Sequence, residues 1–335
     1  MQQNQQLVDI VIAWVDGNDP ILIKKRQNYM EKQIAEDPKQ STRFASDYEI
    51  YYAIASILKY VPYCRTIYII TDQQKPQYLQ QLIEQRICTP EKIKIIDHID
   101  LFRGYECVLP TFNSLTIETM LWNINELSDQ FIYLNDDFFF NAPSLYQDFI
   151  QDNKIIIYGH WVKNTSKKLK YKYRQWLEKK FNKKAEARYT TAQMLSADRL
   201  NLNSYFEIHH RPHILNRIIL QEYFQDNPLC LDQQIQYKFR NIQQFLPVGL
   251  MNHLAIKNEQ AILKNDIKIA YLKPTEDINI FIKNIQTEQI KYGCIQSLDL
   301  FDIQQRQQLQ QVLVKKFADF LPKSIVQEAE KGQSL

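Results

Sequence analysis

The chain has 335 residues, 45% of them hydrophobic, and a formal net charge of +3, so it can bury a full core and its global charge calls for no nucleic acid. Its five cysteines are scattered without a C-x-x-C pair, and its six glycines form neither G-x-G-x-x-G nor a P-loop. This argues against a disulfide framework, a cysteine zinc site and a glycine-rich phosphate loop, and the thiols are expected to be reduced and mostly buried.

Met1 to Gln6 carry no basic start or apolar run, and no uncharged stretch approaches about 18 apolar residues. A cytoplasmic protein is the expectation. Four β-rich runs, Asp9 to Val15, Thr66 to Thr71, Lys92 to Ile96 and Phe131 to Leu134, predict buried strands. Helical patterns at Asp47 to Lys59, Pro76 to Arg86 and Ser114 to Leu127 lie between them, with Thr111 and Asn113 as caps for the last. Such alternation predicts an α/β fold, a mostly parallel sheet flanked by helices.

Each strand is followed by acidic or amide groups: Asp16, Asp72, Asp97 and Asn135-Asp136-Asp137. Parallel strands share one carboxyl edge, where open α/β folds bind ligands, so these groups are expected to converge on an anionic cleft. Asp136 and Asp137 are hard oxygen donors suited to Mg²⁺ or Mn²⁺, although acidic pairs also serve as turns and caps. Asp16 and Asp19, in the turn Trp14 to Pro20, fit either a simple turn or a contact to ribose, base or metal at the cleft edge.

Lys163 to Arg188 holds eleven basic residues against two Glu, with Leu169, Tyr173, Trp176, Leu177, Lys180 and Phe181 at helical spacing. This is a basic amphipathic helix, able to meet an anionic membrane or glycan, or else a solvated surface helix with its apolar stripe on the core. Helices are further expected over His213 to Phe224, opened by Pro212, around Asp232 to Phe239, and over Gln304 to Phe320, stopped near Pro322. His209-His210-Arg211-Pro212-His213 holds three of the six histidines. Its spacing fits no familiar zinc motif, but a histidine there can act as general base or donate to phosphate. Arg240 can clamp a phosphate or form a surface ion pair. Pro110 to Ser114 open a helix whose free amides can face phosphate. Glu49 and Glu118, inside helices, are ordinarily salt-bridged surface carboxylates.

In these motifs the chain resembles the Stealth family, which includes bacterial capsular polysaccharide phosphotransferases and the catalytic subunit of the lysosomal-enzyme N-acetylglucosamine-1-phosphotransferase. Asp9 to Pro20 is similar to the first family region. The second is similar to Arg43-Phe44 through Glu49 and on to Asp72 and Pro76. Leu109 to Ser114 with Glu118, and Leu127 to Asp137, resemble the third. His210-Arg211-Pro212-His213 with Arg217, and Phe239-Arg240, match the segments that follow, and Cys294 to Asp299 resembles the fourth. The chain departs from the pattern at Tyr51, Gln243 and Gln244, and keeps only Asp299 of an asparagine-aspartate pair in the fourth region.

The resemblance implies a Rossmann-like, nucleotide-sugar-transferase-like core with a mainly helical C-terminal part. It implies one catalytic domain over 1–335: a core at 1–160, a basic insertion at 161–190, and 191–335 completing the site. The activity implied is transfer of hexose-1-phosphate or N-acetylhexosamine-1-phosphate from a nucleotide-diphospho-sugar, first of all a UDP-sugar, to an oligosaccharide or lipid-linked glycan. Nucleoside monophosphate would leave. The catalytic roles implied are His210 as base, Arg240 on the phosphate, and Asp16 and Glu49. Asp136 and Asp137 would hold Mg²⁺ or Mn²⁺, and Asp19, Arg43, Asp72, Asn113, Ser114, Glu118 and Asn135 would position substrate. A metal-dependent glycosyltransferase using the same donor, and a glycan-binding assembly partner, are the alternatives. Peripheral contact with the inner face of the plasma membrane through 163–188 is a further expectation.

Overall fold

A computed structural model describes residues 6–30, 48–181 and 187–331. The first half alternates strand and helix: β1 (Val8–Ala13), α1 (Pro20–Met30), α2 (Glu49–Tyr60), β2 (Cys64–Thr71), α3 (Leu79–Glu84), β3 (Ile93–Asp97), α4 (His98–Leu101), α5 (Ser114–Thr119) and β4 (Gln130–Asn135). Then come β5 (Phe138–Phe140), β6 (Ile150–Gln151), β7 (Lys154–Tyr158), β8 (His160–Lys163), α6 (Thr165–Phe181), α7 (Tyr189–Arg199), β9 (Ser204–Glu207) and β10 (His213–Asn216). The chain closes with α8 (Arg217–Asp226), α9 (Pro228–Ile235), α10 (Pro247–Lys257), β11 (Ala261–Lys264), β12 (Ala270–Leu272), α11 (Ile278–Gln286), β13 (Tyr292–Ile295), α12 (Ile303–Phe317) and α13 (Lys323–Lys331).

The main sheet has the order β10-β4-β1-β2-β3, with β1 to β4 mutually parallel and β10 antiparallel to β4. The predicted α/β architecture is therefore present. Ile10, Val11 and Ile12 are fully buried; a central parallel strand is covered on both faces, and each such side chain contributes about 1.5–3 kcal/mol. Asp9 is buried in the same strand. The Arg65 guanidinium donates to it from Nε at 2.8 Å, and the Ser128 amide donates at 2.8 Å. These partners make a buried carboxylate tolerable.

The chain runs from β1 to β2 to β3 on one side and returns to place β4 on the other side of β1. The crevice beyond β1 and β4 is thus a topological switch point. A second sheet, β12-β13-β5, leaves β4 through the Asp136-Asp137 turn, since β5 pairs antiparallel with β13. Gly293 lets β13 approach β5: a Cβ there would stand 2.1 Å from the Phe139 ring. The last helices close over the first half, and Tyr78 of the β2–α3 connection donates to Glu328 of α13 at 2.7 Å.

The C-terminal part is mainly helical, yet it supplies five short strands. One of them corrects an expectation: residues 213–216 are strand β10, not the start of a helix, and Pro212 does not open one. His213, Ile214 and Leu215 are buried on the edge of β4, and the Asn216 side chain caps α8 by accepting from the Ile218 amide at 3.0 Å. Helix α5 is shorter than predicted and gives way to a 3₁₀ turn at Leu121–Asn123. All five cysteines are free thiols; Cys64 and Cys294 are buried and Cys107 is exposed. Helix α6 buries no residue, and its stripe of Leu169, Tyr173, Trp176 and Phe181 faces solvent rather than the core, with 51–67% of each residue exposed. Among the described residues no helix is long and apolar enough to cross a membrane.

Candidate active site

The cleft at the switch point is walled by the ends of β1 and β4, by Glu49 and Asp72, and by the second sheet through Tyr271, Cys294 and Gln296. Asn135, Asp136 and Asp137 lie on its floor, where β4 turns into β5. His210 and Arg240 line it as well. The topology explains the meeting of groups so distant in sequence. Because β10 runs antiparallel to β4, the residues entering β10 lie at the same edge as the residues leaving β4.

The Asp136 and Asp137 carboxyls sit back in the cleft. Burial, and then the charge of its neighbour, raises Asp136 well above the usual carboxylate range; burial raises Asp137 too, opposed by the Cys294 thiol, which donates at 3.6 Å, and by Arg240. Asp137 Oδ1 is buried with no hydrogen-bond partner among the described residues. Two crowded oxygen donors, one of them orphaned, fit a hard divalent cation, which would cancel the cost of keeping both ionised. Asp16, Asp136 and Asp137 do not gather their oxygens to within 4.8 Å of one another. A cation there would be completed by ligand phosphate and water.

His210 is gripped by aromatic rings: Tyr189 stacks at 4.5 Å and Tyr271 at 5.9 Å and 7°, while Phe138 meets it edge-on at 6.0 Å. Burial, Arg240 and His209 push its pKa down to about 4. The ring is therefore neutral at pH 7 with its lone pair free, and the negative charge of a bound diphosphate would raise its basicity. Arg240 donates to the Ser114 hydroxyl at 2.6 Å, so a guanidinium and the first turn of α5 lie together. A second cavity adjoins the first and shares Asn135, His210, Arg240 and Gln296 with it; Glu118 and Tyr189 line its far side.

The other predicted residues divide by place. Glu49 opens α2 and faces the cleft. Asp72 lines it too but is held by Lys25 at 2.7 Å. Asp16 and Asp19 stay in their turn: the Asp16 side chain accepts from the Asn18 amide at 2.9 Å and Asp19 from the Ile21 amide at 2.8 Å, with Gln74 donating to Asp19 at 2.9 Å and lowering its pKa. Asn113 is buried as the cap of α5, donating to the Gln244 side chain at 2.8 Å. Asn135 accepts from the Tyr133 hydroxyl at 2.7 Å. Arg43 lies outside the described residues. Gln244, a departure from the family pattern, is buried and ties Asn113, the Asn241 amide and the Gln234 carbonyl together. Tyr51, another departure, accepts from the Tyr78 amide at 2.6 Å.

Tyr271 and Asp299 are among the cleft residues that the sequence did not mark as site residues. Tyr271 carries no motif, and its signal is only spatial. Asp299 stands in the segment that resembles the fourth family region; it lines the cleft, burial raises its pKa, and its Oδ1 is buried without a hydrogen-bond partner among the described residues.

Glu118 corrects the expectation of a surface carboxylate: it is 5% exposed and its Oε2 has no hydrogen-bond partner among the described residues. Burial raises its pKa to about 7, against the opposing pull of Arg240 and of the Tyr133 and Ser114 hydroxyls. A folded-state pKa above the unfolded one means that the native state binds the extra proton, so stability falls as pH rises from about 4.5 through 7. Glu118→Gln is expected to melt at the same temperature as the parent below about pH 4.5. At pH 8 it is expected to be more stable by on the order of 1–3 kcal/mol. Denaturant melts across that range check this, and a constant difference between the two proteins would sink it.

Residues 8–33 match Stealth protein CR1, conserved region 1, and residues 43–157 match Stealth protein CR2, conserved region 2. The chain is similar to the capsular polysaccharide phosphotransferase cps1A of Actinobacillus pleuropneumoniae, 41% identical over 155 residues that cover 45% of this chain and 40% of that one. It is also similar to the exopolysaccharide phosphotransferase SCO2592 of Streptomyces coelicolor, 29% identical over 270 residues, 79% of this chain and 27% of the relative. The matched stretches thus span two fifths or less of these curated relatives. A solved apo structure of the bifunctional glycosyltransferase WbbM aligns with 97% of this chain and 51% of its own at 12% identity and a TM-score of 0.45, a distance at which it adds nothing to the fold described above. The likeness to the Stealth family read from the sequence is shown in conserved regions 1 and 2.

Proposed function

We propose that this chain, which carries Stealth conserved regions 1 and 2, is a sugar-phosphate transferase. It moves hexose-1-phosphate or N-acetylhexosamine-1-phosphate from a nucleotide-diphospho-sugar, first of all a UDP-sugar, to a hydroxyl of an oligosaccharide or lipid-linked glycan in capsular or cell-surface polysaccharide synthesis. The observation that carries this reading is the convergence of Asp136, Asp137, His210 and Arg240 on one cleft. The relatives named as capsular and exopolysaccharide phosphotransferases support it.

The donor diphosphate would lie in the first cavity and the acceptor hydroxyl would enter from the second, because their shared wall holds both His210 and Arg240. Neutral His210 takes the hydroxyl proton as the acceptor oxygen bonds to the sugar-proximal phosphorus. The bond from that phosphorus to the bridging oxygen breaks, and its electron pair leaves with the nucleoside monophosphate. Arg240, oriented by Ser114, donates to the non-bridging oxygens, where charge is spread in the transition state. Mg²⁺ or Mn²⁺ held by Asp136 and Asp137 would neutralise the leaving phosphate. Residues 1–335 act in this reading as one catalytic unit; Glu49 and Asp72, which line the cleft, position the donor, and Asp16, Asp19 and Arg43 are proposed to assist. The exposed stripe of α6 amid lysines supports peripheral contact of 163–188 with an anionic membrane surface.

The test is to incubate the protein with Mg²⁺, a panel of nucleotide sugars and oligosaccharide acceptors, and to identify the released nucleotide. Monophosphate release with phosphorus in the glycan product is the expected outcome. Release of nucleoside diphosphate would make the protein a glycosyltransferase and overturn the mechanism; no release with any donor would favour a glycan-binding role.

A further inference from the structure

Outside the cleft, three chain segments place metal-ligating atoms together. His160 opens β8, and β8 pairs with β9 so that His160 lies opposite Glu207; His209 follows two residues later. Asp266 lies just past β11, where the Gly159 amide donates to the Lys264 carbonyl at 3.0 Å and holds that segment beside β8. His160 Nδ1 is 2.6 Å from Asp266 Oδ2, and His209 Nε2 is 3.4 Å from Asp266 Oδ1. One ligand atom from each residue lies within 4.8 Å of the others, a set of three that no other His, Cys, Asp or Glu group among the described residues forms.

We propose that His160, His209 and Asp266 form a transition-metal site, for Zn²⁺ or a similar ion, distinct from the oxygen-lined cleft. Two imidazoles and one carboxylate are a donor set that favours such an ion over Mg²⁺. In a tetrahedral site, bonds of about 2.0 Å put neighbouring ligand atoms about 3.3 Å apart. The two histidines meet different oxygens of Asp266, His209 at Oδ1 and His160 at Oδ2, and with one ligand atom per residue the three lie within 4.8 Å of one another, so side-chain rotation is enough to bring them to that spacing. The side chains are 50%, 47% and 33% exposed, so a hydrated ion can reach them and keep water in a fourth position. The three ligands come from separate segments held by strand pairing, so the ion clamps them together. His209 precedes His210, and the segment that carries Asp266 leads into β12, whose Tyr271 stacks on His210.

The protein stripped with a chelator, then held in excess Mg²⁺ to saturate the oxygen-lined cleft, is titrated with Co²⁺ and read by its visible ligand-field absorption. The expected result is an intense band of tetrahedral type that saturates at one equivalent, is displaced by Zn²⁺, and needs roughly 100-fold more Co²⁺ in His160→Ala and in Asp266→Asn. Thermal melts of the metal-free variants confirm that they are folded, and His209→Ala gives a third, independent ligand deletion. No saturable band, a weak octahedral spectrum, or a band unchanged in all three folded variants overturns the site. None of these readings uses phosphotransfer, so failure here leaves the proposed reaction standing, and the converse holds.

Discussion

Asp137→Asn and Asp136→Asn each lower turnover by roughly 10²–10³-fold, the scale seen when one group that stabilises transition-state charge is removed, and each raises the Mg²⁺ concentration needed for half-maximal rate. Asparagine keeps the shape of aspartate, so the turn between β4 and β5 persists. What it removes is a carboxylate that burial already penalises. Both variants are therefore expected to melt higher than the parent in the absence of metal and to lose the stabilisation that Mg²⁺ gives the parent. Inactivity with raised stability separates a cation ligand from a folding residue. Unchanged Mg²⁺ dependence in both variants would place the cation elsewhere, and Asp299, with its unpartnered buried oxygen, would be the next residue to test.

His210→Ala removes the proton acceptor and is expected to cost 10²–10⁴-fold in kcat, the usual range for general-base loss. Alanine also empties the space between Tyr189 and Tyr271, so His210→Phe is the necessary companion: it keeps a ring in the stack but offers no lone pair. Equal losses in the two variants, with donor KM little changed, assign the defect to proton transfer. Near-full turnover in His210→Phe would reduce His210 to a packing residue and move the base elsewhere.

Much of this site is readable from the chain because its acidic half is built by local rules. A short apolar run such as Phe131 to Leu134, ended by Asn-Asp-Asp, is a buried strand delivering carboxylates to the carboxyl edge, and the sheet puts it there. The histidine half obeys no local rule. His213 to Asn216 is too short to show a strand period, and its four residues become a strand because β4 offers a free edge. Glu118 sits at an ordinary helical position, and only tertiary packing, which sets it beside Tyr133 of β4 and near Arg240, buries it. His160, His209 and Asp266 are spaced like no metal motif; two strand ladders bring them into contact. The aspartates after β1, β2 and β3 show the reverse. Their placement at the edge is legible, but Asp97 caps α4 and Asp19 caps α1, and sequence alone does not separate a cap from a contact.

The antiparallel entry of β10 also sets a timetable. As the chain is made, Asp136 and Asp137 emerge about a hundred residues before Arg240, an interval on the order of 5–20 s at ordinary elongation rates. Before residues 213–216 are made the four parallel strands and the Asp136-Asp137 turn can form, but the edge of β4 that receives β10 stays open. A nascent or truncated chain that ends before residue 210 can therefore gather the acidic pair, yet it lacks both His210 and Arg240, the residues proposed to take the proton and to steady the phosphoryl group. The cleft is completed late, so fragments released before residues 213–216 carry an unpaired strand edge, which marks them for capture by chaperones or proteases.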